Sequence, residues 1–78
     1  MEKFCDRLKQ CRLEAGLAQE DVARELGIRY STYGRYERGG SEPDISLAAR
    51  IADYYRVSLD YLAGRSGEKG FGERGKQD

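Results

Sequence analysis

Apolar residues recur along this chain at helical spacing, in stretches punctuated by glycine. Phe4, Leu8, Cys11 and Ala15 lie four, three and four residues apart, a stripe on one side of a helix. This spacing predicts a first helix from about Glu2 to Ala15, ended by Gly16, with Leu17 packing back in. Val22, Ala23 and Leu26 fall at i, i+1 and i+4 and predict a second helix that starts at Gln19 or just before. Gly27 can take the left-handed conformation that ends it, and Ile28 is the apolar residue just beyond. Tyr33 and Tyr36 repeat at i, i+3 on a third helix, from about Tyr30 to Arg38. Gly39-Gly40-Ser41-Glu42-Pro43 is a turn. Leu47, Ala48, Ile51, Ala52 and Tyr55 predict a fourth helix from Ile45 to about Tyr55, with Asp44 as its cap. Ser58 caps a short fifth helix, Leu59 to Ala63, which Gly64 closes.

After Gly64 the pattern stops. Residues 65–78 hold four more glycines, many charges and one apolar residue, Phe71. Nothing there can bury a face, so a flexible Gly-rich charged tail is expected after a domain spanning 1–64. With 78 residues there is room for one small domain with a thin core. One proline and few β-branched residues argue for an all-α fold.

The net charge is zero, but its distribution is uneven. The second helix carries Glu20, Asp21 and Glu25 against Arg24. The third carries Arg29, Arg35 and Arg38 against Glu37, and is locally basic. The helix following Ala18 lacks a capping Ser, Thr, Asp or Asn, which costs roughly 1 kcal/mol. Glu20 and Asp21 offset part of this through the helix dipole. Cys5 and Cys11 are about 240° apart around a helix and cannot pair without unfolding it; they read as small apolar side chains. There is no His, so no metal site, no nucleophile paired with a base and no enzyme is expected, and no cofactor. No apolar run reaches membrane-spanning length and no signal peptide is visible, so the expected location is cytoplasmic, with no membrane partner and no small-molecule ligand.

The second and third helices, joined by a tight turn, form a helix-turn-helix, the unit that places its second helix in the major groove of DNA. That helix carries Arg29, Tyr30, Ser31, Thr32 and Arg35 on the faces its tyrosines do not need for packing. The planar fork of Arg35 can donate two bonds to O6 and N7 of a guanine, contact a phosphate, or stay solvated. Ser31 can bond several base edges or cap the helix. Thr32 can offer its methyl to a thymine. Tyr30 can meet a phosphate or a thymine methyl, or have no such duty. Gly34 reads as a position kept clear for the duplex. Tyr33 and Tyr36 read as packing residues, with the Tyr36 hydroxyl at the surface.

The order of motifs resembles the XRE family, the phage-repressor and Cro-type helix-turn-helix proteins. The residues that carry the resemblance are Arg7-Leu8-Lys9 with Arg12, Gly16 to Ala23, Leu26-Gly27-Ile28, Ser31-Thr32-Tyr33, Tyr36-Glu37-Arg38-Gly39, Pro43 and Val57 to Gly64. The resemblance implies a five-helix, lambda-repressor-like bundle. It implies that Gln19 touches a DNA phosphate and supports the reading helix, and that Tyr30, Ser31 and Arg35 meet base edges. Arg29 then reaches bases or backbone at the helix start, and Arg38 with the Gly39 N–H holds phosphate. It further implies a largely buried ion pair between Arg12 and Glu37. The family usually has Thr or Ser in place of Ala18, often Ser or Thr in place of Arg29, and often Gln or Ser in place of Tyr30. A tyrosine cannot make the two-pronged bond to adenine that Gln makes.

The implied function is a sequence-specific regulator of transcription that binds double-stranded DNA as a repressor. One such domain covers a short half-site, so a homodimer on a palindromic operator is expected, formed in solution or only on DNA. Tyr54, Leu59 and Tyr61 are candidates for its interface, or merely cover the core. The competing reading is a protein-interaction module of the same fold, an antitoxin-like or coactivator-like partner.

Overall fold

Leu17, Ile28 and Val57 explain how the helices stop. Each follows a residue with positive φ, and each donates its N–H to a carbonyl five residues back: Arg12, Ala23 and Ala52. This closes the last turn and swings an apolar side chain back toward the core. In the computed structural model, which describes residues 3–70, the helices are α1 (Phe4–Ala15), α2 (Gln19–Leu26), α3 (Tyr30–Arg38), α4 (Ile45–Tyr55) and α5 (Leu59–Leu62). α3 ends the same way, with Gly40 donating to the Arg35 carbonyl. At the end of α4 the positive-φ position is filled by Arg56, not glycine. The expected start of α1 at Glu2 lies outside the described residues, as does Phe71.

The starts are uneven. Asp44 accepts from the Leu47 N–H at 2.8 Å and Ser58 from the Tyr61 N–H at 2.9 Å. Lys3, Ala18 and Arg29 stand at the other three N-termini with no side-chain cap. Ser31 does not substitute for a cap on α3, because Arg29 already occupies the extended position before the helix. Ala18 has the φ of −89° and ψ of 152° that a capping serine needs. Ala18→Ser is therefore expected to stabilise the domain by about 1 kcal/mol, raising Tm by roughly 4–8 °C. A thermal melt coinciding with wild type would contradict this.

Leu8, Val22, Tyr33, Ile51 and Leu62 are fully enclosed and join all five helices in one core. α3 packs chiefly on α1 and α2, and α5 on α1 and α4. The α1 stripe holds at Phe4, Leu8 and Cys11 but not at Ala15, which is exposed beside an open groove near Tyr54, Tyr55 and Lys69. Burial, then the nearby Glu14, raises the Cys11 thiol pKa, so this sulfur behaves as an apolar filler.

The expectation that nothing after Gly64 packs fails for residues 65–70. Arg7 Nη1 donates to the carbonyls of Tyr61 and Ser66, both at 3.0 Å. Ser58 N–H donates to the Lys69 carbonyl at 2.7 Å, and Lys69 pairs with Glu14 at 3.0 Å. Backbone groups and long side chains make this contact, which a reading based on apolar faces misses. Among the described residues no helix is long and apolar enough to cross a membrane.

Candidate nucleic-acid interface

α3 is divided along its length. Tyr33, Gly34, Tyr36 and Glu37 are buried, while Arg29, Tyr30, Ser31, Arg35 and Arg38 are exposed. Thr32 is half-buried at the edge. At about 100° per residue, Ser31, Arg35 and Arg38 fall within roughly 60° of each other, forming one continuous stripe. Tyr30 projects from the first turn and is 56% exposed. The nine-residue helix is about 13 Å long, and a major groove is about 12 Å wide.

The buried side of α3 is held by charge. Arg12 reaches from α1 and grips Glu37 with two bonds, Nε to Oε2 at 2.7 Å and Nη2 to Oε1 at 3.1 Å. Its third donor, Nη1, satisfies the Leu17 carbonyl at 2.9 Å. Gln19 Nε2 donates to Glu37 Oε1 at 2.9 Å, tying the start of α2 to the same carboxylate. The two ionic side chains are only 12% and 2% exposed. Burial alone would raise the Glu37 pKa; hydrogen bonds from Arg12, then Gln19 and Tyr33, outweigh it and hold the carboxyl below its ordinary range. Below this, the Tyr33 and Tyr55 hydroxyls share a bond at 2.7 Å.

This pairing changes the electrostatics of the helix. The one acid on α3 is neutralised and removed from solvent, so the exposed surface carries Arg29, Arg35 and Arg38 unopposed from within the helix. The acids of α2 are partly engaged elsewhere: Asp21 with Arg24 at 2.7 Å, and Glu25 with the Tyr54 hydroxyl at 2.8 Å. The zero net charge thus hides a basic outer face on α3.

Two of the residues expected at phosphate already have partners within the protein. The Gly39 N–H, expected to hold phosphate, donates to the Tyr36 carbonyl at 3.3 Å as part of the α3 end. Gln19 uses one amide hydrogen on Glu37 and turns its Oε1 toward Gly34. Gly34 is buried under Gln19 and Arg38, so it faces the protein's own side chains and not open groove. Of the proposed dimer residues, Tyr61 belongs to the core beneath Arg7, whose guanidinium lies 4.1 Å from its ring centroid. Tyr54 and Leu59 stay half-exposed.

Two supports escaped sequence reasoning. Arg50 Nη2 donates to the Leu26 carbonyl at 2.8 Å, fixing the turn between α2 and α3 from α4. Arg7 anchors residues 65–70. Both arginines flank an apolar stripe, at positions where a charged residue ordinarily reads as solvated.

Residues 8–62 match the profile of the helix-turn-helix family, from the middle of α1 to the end of α5. The chain belongs to the helix-turn-helix family. The XRE-type motif order read from the sequence agrees with this. The chain is 41% identical over 75 residues to an uncharacterized HTH-type transcriptional regulator, YqaE, of Bacillus subtilis, covering 95% of this chain and 65% of that protein. It is 32% identical over 63 residues to the cryptic phage CTXphi transcriptional repressor RstR of Vibrio cholerae, covering 81% of this chain and 57% of that one. The fold resembles a transcriptional regulator from Listeria innocua in its crystal structure, with a TM-score of 0.76 and 31% identity over 96% of this chain and 70% of that one. The chain thus spans about three-fifths of the curated relatives.

Proposed function

We propose that this chain binds double-stranded DNA in a sequence-dependent way and represses transcription by occupying a promoter. The observation that carries this reading is the divided α3. Its inner face is locked by Tyr33, Tyr36 and the Arg12–Glu37–Gln19 network, and its outer face presents three arginines, two hydroxyl groups and an exposed tyrosine. No packing requirement accounts for that outer face, whereas a groove lined by acceptors and phosphates does.

In this reading phosphate contacts set the register and base contacts set the preference. Arg38 and the second amide hydrogen of Gln19 lie where two helices meet and hold backbone. The Gly39 N–H joins them only by sharing its bond to Tyr36. Arg35 donates its fork to a guanine, while Ser31, Thr32, Arg29 and Tyr30 contact neighbouring edges. Two copies, about one helical turn apart, read a palindromic operator as a homodimer in the cytoplasm. With acids balancing bases over the whole chain, net charge zero, non-specific affinity is low and the salt dependence shallow.

Selection from random duplexes tests this. The full chain is expected to enrich a palindrome with half-sites about 10 base pairs apart, centre to centre. If no duplex is enriched while another protein co-purifies at stoichiometric ratio, the DNA reading fails and the interaction-module reading replaces it.

A further inference from the structure

Three glycines within the described residues lack a backbone reason to be glycine. Gly34, Gly40 and Gly67 do not have positive φ, unlike Gly16, Gly27, Gly39, Gly64 and Gly70. Gly67 has open space around it. The other two are crowded, and each by an arginine of α3. A Cβ on Gly34 would stand 3.1 Å from Arg38 Nη1 and 3.5 Å from Gln19 Oε1. A Cβ on Gly40 would stand 2.8 Å from Arg35 Cγ and 3.5 Å from its Cδ. Gly34 is also in mid-helix, where glycine is unfavourable, so helix formation argues against it.

We propose that Gly34 and Gly40 are positioning residues that seat the two arginines of the reading helix. Side chains on a helix lean toward its N-terminus, so Arg38 lies back over the residue four before it. The space at Gly34 admits both the Arg38 guanidinium and the Gln19 amide oxygen, and the other end of that amide is held by Glu37 at 2.9 Å. Arg38 and Gln19, from different helices, thereby act as one phosphate clamp. The void at Gly40 lets the Arg35 stem fold against the turn after α3 and sets the direction of its fork. Both arginines are ordered before DNA arrives, which reduces the side-chain freedom lost on binding.

The inference rests on the proposed DNA-binding function, and its test separates the two. Binding of the full chain to the selected duplex is measured across a salt series, alongside thermal melts. Arg38→Ala is expected to weaken binding about tenfold and lower the salt slope by about one, without altering base preference. Gly34→Leu, which presses on Gln19 as well as Arg38, should weaken binding and lower the salt slope at least as much as Arg38→Ala. Gly34→Ala should weaken binding about threefold while melting at or above the wild-type temperature, since alanine favours the helix. Gly40→Ala should relax preference at the base pair that Arg35→Ala relaxes, with the salt slope unchanged. Gly34→Ala with wild-type affinity and slope overturns the first seat, whether or not the leucine variant folds. Gly40→Ala with undiminished discrimination overturns the second. A wild-type chain that enriches no duplex overturns the DNA reading itself, and the seats with it.

Discussion

Arg12→Ala is expected to destabilise the domain by about 3–5 kcal/mol, because it strands a buried carboxylate. Glu37 is 7% exposed and receives two bonds from Arg12, so the truncation leaves a buried carboxylate with those two bonds unmade. For a chain of this size the loss corresponds to roughly 12–40 °C in Tm. Lys9→Ala, on the exposed side of α1, is expected to change stability by under about 0.5 kcal/mol. Equal melting temperatures for the two variants would refute the pairing. Glu37→Gln added to Arg12→Ala removes the orphaned charge and should recover much of the loss.

The pH dependence follows with a definite sign. In the wild-type chain the Glu37 carboxyl is held below its ordinary value. Its contribution to stability is therefore complete above the unfolded carboxyl pKa, about 4.3, and is lost as pH falls through the lower folded value. In Arg12→Ala, burial acts without the arginine and the carboxyl pKa rises. Lowering the pH then neutralises the stranded charge, so the stability gap between the two proteins narrows under acid. A gap that widens on acidification would contradict this assignment.

Arg35→Ala carries the second large effect, on recognition and not on folding. Arg35 is exposed, so its removal should leave Tm nearly unchanged. On the selected duplex, loss of a bidentate contact to guanine is expected to cost about 1–3 kcal/mol, roughly 5- to 150-fold in Kd. The selection repeated with the variant should show preference lost at one base pair in each half-site. A uniform loss across all duplexes, with the salt slope reduced by about one, would instead make Arg35 a phosphate ligand. Phosphates are identical at every step and bases are not, so these outcomes separate cleanly.

Much of the fold was legible because its signals are local. The stripe at Leu8 and Cys11, the pair Val22 and Ala23 with Leu26, and the stop at Gly27 each depend on neighbours within a turn or two. The same holds for the caps at Asp44 and Ser58. Ala15 misled because a stripe says which side of a helix is apolar, not how far the partner helices extend. Residues 65–70 misled because backbone carbonyls, invisible in a hydropathy pattern, make their contacts with Arg7 and Ser58.

Spacing along the chain determined five helices, where they stop, and an α3 with arginines on one side and Tyr33 and Tyr36 on the other, since these follow from 3.6 residues per turn. Only the tertiary structure decided which charges face solvent. Arg12 and Glu37 are 25 residues apart, and their 2.7 Å contact exists because α1 and α3 cross there. That crossing withdraws the acid from α3, ties Gln19 to it, and leaves the exposed surface basic on a chain with no net charge. Sequence specifies the number of charges; the packing of helices determines which remain in water, where a phosphate can meet them.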